Sequence, residues 1–354
     1  MAATVPSVSA TTATNSFTQT NLIANNSSFG AKLVDPNLKN AWGLAAGANT
    51  PLWVADNNSG KATVYSGGKS GVTLDLTVPV PGANPSGLVF NGDSSAFPVG
   101  GKTGTAAAFI VDSDAIGSNG AVGEIAAWNG GAKFTVEDSP GGGAGGKTPA
   151  GAIFKGLAIA TGTAAGPELF ATDVHNAKID IFSKMFAPVS APTEFKDPKI
   201  PAGYAPFGIQ NIKGNVYVTY GKQNKAKNDA IRGAGLGVVD VYNVNGKLLH
   251  HLVSNGSGSP LNEPWGLAIA PGDFGSFAGD LLVGNLGNGW VNAFNKTTGA
   301  YAGALYSKGL PVVIKRLWGL MPGNSMFGGV GSIVFSAGPA DYNNGVVGIL
   351  TPAS

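Results

Sequence analysis

The sequence contains no cysteine. Disulfide bonds, thiolate metal sites and cysteine nucleophiles are therefore excluded. Charged residues make up only 12% of the 354 residues, and the formal net charge is +2 without any basic block. Nucleic acids and anionic membranes attract strongly basic surfaces, so we expect neither as a partner.

Long apolar runs are also missing. No stretch approaches the roughly 20 residues that a membrane-spanning helix needs, so we expect no membrane span. The opening segment MAATVPSVSATTATNSF lacks the basic start and apolar core of a signal peptide. We interpret residues 1–15 as a disordered leader and residues 16–354 as one domain. The Asn, Thr and Gly content favours a bacterial protein that is extracellular or periplasmic, with its signal peptide already removed, and the near-neutral charge favours a monomer.

Glycine and short apolar bursts are abundant: the chain has 55 glycines and is 43% hydrophobic. One pattern, a glycine followed by an aliphatic residue, recurs at intervals of about 45 to 70 residues, which is the size of a propeller blade. Its six copies are Trp42-Gly43-Leu44, Ser86-Gly87-Leu88, Lys155-Gly156-Leu157, Phe207-Gly208-Ile209, Trp265-Gly266-Leu267 and Trp318-Gly319-Leu320.

Each glycine is followed by further bursts of four to eight residues, rich in Val, Ile, Phe and Tyr and bounded by Gly, Asn or Pro, as in PLWVADN and KATVYSG. Such bursts are typical of strands, and four of them complete most units. The sequence therefore predicts an all-β protein, a six-bladed β-propeller of four-stranded antiparallel blades. We expect the glycines on crowded innermost strands. We interpret the tryptophans at 42, 265 and 318 as structural wedges between blades, with a ligand-stacking floor at the pore as the alternative.

The last unit ends at GVVGILTPAS and lacks a fourth strand, whereas SFTQTNLIA (Ser16 to Ala24) has no unit of its own. An N-terminal strand that completes the last blade would remove an open sheet edge. We therefore predict a ring closed by this strand.

Several longer segments carry a family resemblance, among them DPNLKNAWGLA, LFATDVHNAKIDIF, PAGYAPFGIQNIKGNVYVTY and GDLLVGNLGNGWVNAF. The chain resembles NHL-type propellers and, more narrowly, a group of secreted bacterial propeller proteins, some with a C-terminal sorting tail. The resemblance covers nearly the whole chain from about Phe17 and implies the fold and an exported location, but no activity. The ending LTPAS departs from the members that carry the tail.

Two motifs suggest ligands. GGGAGGKT (Gly141 to Thr148) fits the P-loop pattern, but Pro149 follows directly and no helix opens there, so a loop is the better interpretation. DSDAIGSNGAVGE (Asp112 to Glu124) resembles a calcium loop in part, with Ile116 where an oxygen ligand belongs and Glu124 one residue late. We favour a polar turn, with structural Ca²⁺ as the alternative.

The three histidines do not form a zinc pattern. His250 and His251 are adjacent on a predicted outer strand, so their side chains point to opposite faces and cannot easily bind one metal. We interpret both as exposed. His175 follows Asp173 in a loop that can overlook the central pore.

The loops before the innermost strand and after the second strand share one face of a propeller. This face is unusually polar for a chain with so little charge. Its members are Asn40, Asn84, Lys155, Tyr204, Asn262, Glu263, Lys315 and Arg316 from the first set of loops, and Asp56, Asn57, Asp112, Asp114, Asp173, His175, Asn176, Tyr220, Lys222, Gln223, Asn285 and Asn288 from the second.

From this face we select the candidate residues. The ligand-binding candidates are Lys155, Arg316, Asp173, His175, Asn262, Glu263 and Asn285. The candidates for catalysis are His175, Tyr220, Lys155 and Arg316. The metal candidates, for Ca²⁺ or another divalent cation, are Asp56, Asp112, Asp114 and Asp173. Lys155 and Arg316 are expected to form a positive patch that suits carboxylate or phosphate ligands, or else to pair with neighbouring Asp residues.

Two classes of function follow. The first is a secreted binding or scaffold protein that contacts a small molecule, glycan or protein at a polar central pocket. The second is a metal-assisted hydrolase or lyase, resembling propeller lactonases, in which carboxylates hold a cation that polarises a carbonyl. The absence of a recognisable metal-ligand set favours binding, and the fold alone does not choose between them.

Overall fold

The computed structural model describes residues 15–82, 84–114, 116–117, 120–121, 123–138 and 151–353. The segment GGGAGGKT and most of the expected leader lie outside these residues, and the calcium-like segment lies only partly within them. No helix in the described ranges is long and apolar enough to cross a membrane.

The described chain forms six four-stranded antiparallel blades, as predicted, and each is built from an innermost strand outward. Blade 1 comprises Ala41–Ala45, Leu52–Asp56, Lys61–Gly68 and Gly71–Pro79. Blade 2 comprises Pro85–Phe90, Phe109–Ser113, Ile125–Trp128 and Thr135–Asp138. Blade 3 comprises Phe154–Ala160, Glu168–Asp173, Lys178–Ser183 and Pro188–Val189.

The second half of the ring repeats this order. Blade 4 comprises Tyr204–Ile212, Asn215–Lys222, Val238–Asn243 and Leu248–Val253. Blade 5 comprises Pro264–Ile269, Leu281–Asn285, Val291–Phe294 and Tyr301–Ala304. Blade 6 comprises Leu317–Pro322, Ile333–Ala337, Val346–Pro352 and Phe17–Ala24.

The N-terminal strand closes the ring, which confirms the prediction. Phe17–Ala24 runs antiparallel to Val346–Pro352, with Phe17 opposite Pro352. Phe17 is buried, and its ring packs against Phe274 at 4.9 Å and Phe277 at 5.9 Å between centroids. The last blade therefore draws its outer strand from the opposite end of the chain and buries an aromatic anchor with it.

Several short elements lie outside the four strands of each blade. Leu33–Val34 adds a parallel strand outside the N-terminal one. Two strand pairs lie in connections, Ile116–Gly117 with Gly120–Ala121 and Tyr306–Ser307 with Leu310–Pro311. The helical elements are 3₁₀ turns at Ser27–Phe29, Asn57–Ser59 and Gly275–Phe277.

The repeated glycines lie where each innermost strand meets the next blade. A Cβ added to Gly156 would lie 3.1 Å from the Phe207 carbonyl oxygen, and one added to Gly266 would lie 2.5 Å from the Trp318 carbonyl oxygen. The other four glycines make equivalent approaches, and the pairing register shifts at this point of all six innermost strands. The glycine is therefore required because neighbouring backbones meet there.

Side chains of the second strands support these irregular points. Thr219 Oγ1 accepts from the Gly208 N–H at 2.8 Å, and Ser336 Oγ accepts from the Gly319 N–H at 2.8 Å. Thr172 Oγ1 donates to the Phe207 carbonyl of the next blade at 2.8 Å. Asp112 holds the same place in blade 2, where it accepts from Ser86 Oγ at 2.7 Å and from the Gly87 N–H. These small polar residues satisfy backbone groups that the sheet leaves unpaired.

Candidate functional site

A tryptophan cluster fills the axis near one face of the ring. The rings of Trp42 and Trp318 stack with centroids 3.6 Å apart, and Trp265 meets them edge-on at 6.3 Å and 5.9 Å. Trp42 belongs to blade 1 and Trp265 to blade 5, and residues of blades that are not adjacent can meet only across the axis. The tryptophans expected as wedges between blades therefore form a common apolar floor.

Lys155 lies above this floor. Its Nζ atom is 2.9 Å from Asp114 Oδ2, 3.8 Å from Asp229 Oδ1 and 5.1 Å from the centre of the Trp42 ring. The residue is only 4% exposed. Burial lowers the pKa of Lys155, but Asp114 and Asp229 raise it by more, so the net pKa lies above its ordinary value. Lys155 is a buried cation that two carboxylates hold in its charged form.

Hydrogen bonds extend from this ion pair around the axis. Asp114 Oδ1 accepts from Asn57 Nδ2 at 2.9 Å, and Asn57 Oδ1 accepts from Asn40 Nδ2 at 3.1 Å. Asn40 Oδ1 then accepts from the Trp318 indole N–H at 2.9 Å. The chain of contacts passes through blades 6, 1, 2 and 3, and Asp229 and Glu263 add blades 4 and 5. All six blades therefore contribute to this central cluster.

Glu263 is the carboxyl group without a firm partner. It is 3% exposed, and its Oε2 atom has no hydrogen bond. Burial, reinforced by the charge of Asp229, raises its pKa to about 8, although Arg232, Arg316 and Lys155 pull in the opposite direction. At neutral pH this side chain is mostly protonated and can donate a hydrogen bond.

Arg316 lies at the edge of the same cluster. Its Nη2 atom is 2.5 Å from Asp341 Oδ1, its guanidinium lies 4.7 Å from the centre of the Tyr342 ring, and its Nη1 atom is buried without a hydrogen bond. Arg316 (φ 58°) and Glu263 (φ 54°) both adopt the left-handed backbone region, which side chains other than Asn and Asp rarely enter. Asn40 and Asn84 hold the same position before the glycines of blades 1 and 2 and share this conformation, so it belongs to the repeat.

A cavity of about 460 Å³ opens beside Arg316. Three cationic residues line it, Arg232, Lys315 and Arg316, against the single carboxylate of Asp341. The rest of the wall is formed by Phe29, Leu286, Gly287, Asn288, Gly289, Pro339 and Ala340. We call this space the basic cavity.

The expected positive patch is thus only partly formed. Lys155 is neutralised by Asp114 and Asp229, which is the pairing that the sequence left open as the alternative. Arg316 pairs with Asp341, but that carboxylate is 83% exposed and Arg316 keeps a free buried nitrogen. The positive charge is concentrated at the basic cavity rather than over the axis.

Other residues selected from the sequence lie apart from the central cluster. Asp173 accepts hydrogen bonds from the Ile153 and Asn176 N–H groups, as a turn cap does. Asn262 and Asn285 are bonded to each other through a backbone N–H. Tyr220 is buried among side chains between blades 3 and 4, so its placement on the central face is wrong.

The four metal candidates do not meet. Asp56 is buried in blade 1, where it accepts from Thr63 Oγ1 at 2.7 Å and burial raises its pKa well above the ordinary value. Asp112 supports the irregular strand of blade 2, and burial raises its pKa to about 7. Only Asp114 reaches the central cluster, and there it pairs with Lys155.

The histidines also differ from the expectation. His175 Nδ1 lies 3.2 Å from the carbonyl oxygen of Lys227, which belongs to the connection between the second and third strands of blade 4. His250 is exposed, as expected, but His251 is partly buried between two aspartates, so the interpretation of that residue is wrong.

Asp229 and Arg232 were not among the candidate residues selected from the sequence. Both lie in the connection of residues 223–237 between the second and third strands of blade 4. Its only sequence signal is its length together with a concentration of charge, KQNKAKNDAIR, in a chain that has little charge elsewhere. Long charged connections on a propeller often carry function.

Sequence comparison finds uncharacterised relatives. No family model matches the chain. Two uncharacterised proteins of Acanthamoeba polyphaga mimivirus are 29% identical to it, one over 341 residues and the other over 353 residues. The alignments cover 93% of this chain in both cases, and 78% and 84% of the viral proteins. A bacterial secreted family is not confirmed by these relatives.

Structural comparison finds solved proteins of similar fold, among them a dehydrogenase, a lyase and a gluconolactonase. A glucose dehydrogenase matches with a TM-score of 0.56 and 12% identity, covering 95% of this chain and 100% of the other. Virginiamycin B lyase from Staphylococcus aureus matches at 0.52 with 14% identity, covering 95% and 99%. A gluconolactonase from Xanthomonas campestris matches at 0.51 with 12% identity, covering 90% and 87%. At these identities the likeness concerns the fold alone.

Proposed function

We propose that this protein is an exported binding propeller that takes a small carboxylate- or phosphate-bearing molecule in the basic cavity. The observation that carries the proposal is the concentration of Arg232, Lys315 and Arg316 around one cavity, where Arg316 also keeps its Nη1 atom without a hydrogen bond. A buried donor without an acceptor is costly, so an anion that draws the guanidinium toward the cavity would satisfy it. A guanidinium presents two parallel N–H groups to a carboxylate or phosphate.

The central cluster supports this role as a rigid base. Ion pairing of Lys155 with Asp114 and Asp229, together with the tryptophan floor, fixes the side chains next to Glu263. Protonated Glu263 adds a neutral hydrogen-bond donor near Arg232 and Arg316, whose charges act on it.

The alternative, a metal-assisted hydrolase or lyase at the axis, has less support. The central carboxylates of Asp114 and Asp229 already face the ammonium group of Lys155, which lies where a cation between them would be held. The lactonase and lyase structures share the fold at low identity and add no argument about ligands.

The proposal is tested by calorimetric titration of the purified protein with inorganic phosphate, citrate and a sugar phosphate, and with glucose as a neutral probe. We expect binding of at least one anion and none of glucose. Arg316→Ala should abolish anion binding. Arg316→Lys should weaken anion binding at least tenfold, since Lys cannot make the bidentate contact. Lys247→Ala, on the exposed outer side of blade 4, is the matched control. Equal affinity of Arg316→Ala and the wild type would contradict the proposal.

Export is the second part of the proposal. It is supported by the Asn, Thr and Gly content of the chain and by the resemblance of the repeats to exported propellers. Fractionation of the producing cells with an antibody against the chain checks it. Recovery in the cytosolic fraction alone would contradict export. It would not affect the anion-binding proposal, which the titration tests separately.

A further inference from the structure

A second cluster of ionisable groups lies on blade 4, on strands remote from the axis. Asp240 on the third strand and His251 on the outermost strand are register partners, and Asp197 comes from the connection between blades 3 and 4. One ligand atom from each residue lies within 4.8 Å of the other two. Within the described ranges, no other group of three or more His, Asp or Glu side chains meets this criterion.

The three atoms converge on one point. His251 Nδ1 lies 2.7 Å from Asp197 Oδ2 and 2.9 Å from Asp240 Oδ1. A ring nitrogen carries at most one proton, and the hydrogen bond goes to Asp197. Asp240 Oδ1 is left without a hydrogen bond, although Asp240 is fully buried. Two buried carboxylate oxygens thus share a single ring nitrogen, and a cation bound between them would satisfy Asp240 Oδ1 as well as Asp197 Oδ2.

The outer atoms of all three residues are already held. His251 Nε2 lies 3.0 Å from Ser254 Oγ, and Asp197 Oδ1 accepts from the Lys199 N–H at 2.8 Å. Asp240 Oδ2 accepts from the Tyr242 hydroxyl at 3.0 Å, and Tyr242 is bonded to Tyr220 at 2.8 Å. Metal ligands in proteins are oriented by such outer hydrogen bonds, which leave the inner atom free to coordinate.

We propose that Asp197, Asp240 and His251 bind a divalent transition metal of the zinc class. One imidazole nitrogen and two carboxylate oxygens suit Zn²⁺, whereas Ca²⁺ and Mg²⁺ prefer oxygen ligands throughout. Three protein ligands leave a fourth tetrahedral position for water, and the His251 side chain is 12% exposed, so the site can be reached from solvent.

Binding needs small local changes. Nδ1 must be free of its proton, so the proton on the ring is carried by Nε2, which donates to Ser254 Oγ. The ligand atoms must separate from 2.7 Å and 2.9 Å to about 3.3 Å, as tetrahedral Zn–N and Zn–O bonds of about 2.0 Å require. Asp197 lies in a connection and His251 on an outermost strand, so neither belongs to the crowded inner strands.

The experiment uses the full chain, stripped with a chelator and dialysed against Zn²⁺. We expect one equivalent of Zn²⁺ by elemental analysis, a rise in melting temperature, and a visible absorption spectrum of low coordination number when Co²⁺ replaces Zn²⁺. His251→Gln and Asp197→Asn should each weaken Zn²⁺ binding at least tenfold. His250→Gln is the matched control because His250 is the exposed neighbour on the same strand, and its affinity should equal that of the wild type.

Two results would overturn the proposal. One is the absence of stoichiometric Zn²⁺ and Co²⁺ from the folded wild type. The other is Zn²⁺ binding that survives unchanged in Asp197→Asn or that is lost equally in His250→Gln. Circular dichroism of each variant establishes that it is folded, and Asp197→Asn gives the answer if His251→Gln does not fold. The result is independent of anion binding, because the basic cavity shares no residue with this cluster.

Discussion

Lys155 and Asp114 form a buried ion pair across two blades, with 2.9 Å between Nζ and Oδ2. Lys155 lies on the innermost strand of blade 3, and Asp114 directly follows the second strand of blade 2. Their contact joins these blades at the axis and connects to blade 1 through Asn57. Removing one partner leaves the other as an uncompensated buried charge.

Lys155→Met should therefore lower the free energy of unfolding by about 3–5 kcal/mol. Urea denaturation measures the effect, and Lys247→Met on the exposed surface should change it by less than about 0.5 kcal/mol. The double variant Lys155→Met with Asp114→Asn should lose less than the sum of the single changes. A Lys155→Met variant as stable as Lys247→Met would contradict the buried ion pair.

Stability should fall as the pH rises toward 8 because of Glu263. Its pKa is raised to about 8 in the folded protein, mainly by burial, against about 4.3 for an ordinary Glu. Between these values the folded chain keeps a proton that the unfolded chain releases. The contribution of Glu263 is thus complete below pH about 4 and is lost as the pH approaches 8, by up to about 1.4 kcal/mol per pH unit.

Glu263→Gln removes this titration, so its stability should depend less on pH between 5 and 8. Urea denaturation at each pH compares it with the wild type and with Asp273→Asn, which changes an exposed carboxylate. Parallel curves for Glu263→Gln and the wild type would show that Glu263 is ionised in the folded protein. That outcome would also mean that no neutral carboxyl donor lies near Arg232 and Arg316.

Gly266→Val should be severely destabilising, whereas Gly272→Val should have almost no effect. The added Cβ at Gly266 would lie 2.5 Å from the Trp318 carbonyl oxygen, while nothing lies within 4 Å of the corresponding point at Gly272. Overpacking of this kind costs roughly 1–3 kcal/mol or more. Differential scanning calorimetry compares the two variants, and equal melting temperatures would refute the role assigned to the repeated glycines. Gly145, which the sequence also suggests as a tolerant position, lies outside the described residues.

Deletion of residues 1–24 should strongly lower the melting temperature, because blade 6 would lose its outer strand. Phe17→Ala tests the anchor alone and should cost about 3–5 kcal/mol, since the ring is buried against Phe274 and Phe277. Gln19→Ala changes an exposed side chain on the same strand and should be nearly neutral. An unchanged melting temperature after deletion would show that the ring does not depend on this strand.

The fold could be predicted because its determinants are local and repeated. Each blade is marked in the sequence by a glycine on its innermost strand and by short segments rich in β-forming residues. The segment near Phe17, which belongs to no unit of its own, indicated how the ring closes. Lys155, Glu263 and Arg316 could be assigned to one face because they directly precede the innermost glycines or lie close before them.

Partners from irregular segments could not be predicted. Asp229 and Arg232 come from a connection without strand periodicity, and Asp197 from another, so nothing local fixes which side chains they meet. Tyr220 was misplaced for a related reason. Its position along the strand was correct, but the direction of its side chain depends on how that strand packs between blades 3 and 4. Contacts that depend on how strands and connections pack in three dimensions can be assigned only from the structure.

The closure of blade 6 also determines when its outer strand can pair during synthesis of the chain. Phe17–Ala24 pairs with Val346–Pro352, so a strand that is synthesised before blades 1 to 5 reaches its place only after all of them have been made. Blades 1 to 5 are built from consecutive strands and can fold in sequence, whereas the last blade waits for contacts between segments far apart in the chain, whose formation is slow. The outer strand of blade 6 can therefore pair only after the strand Val346–Pro352 has been made.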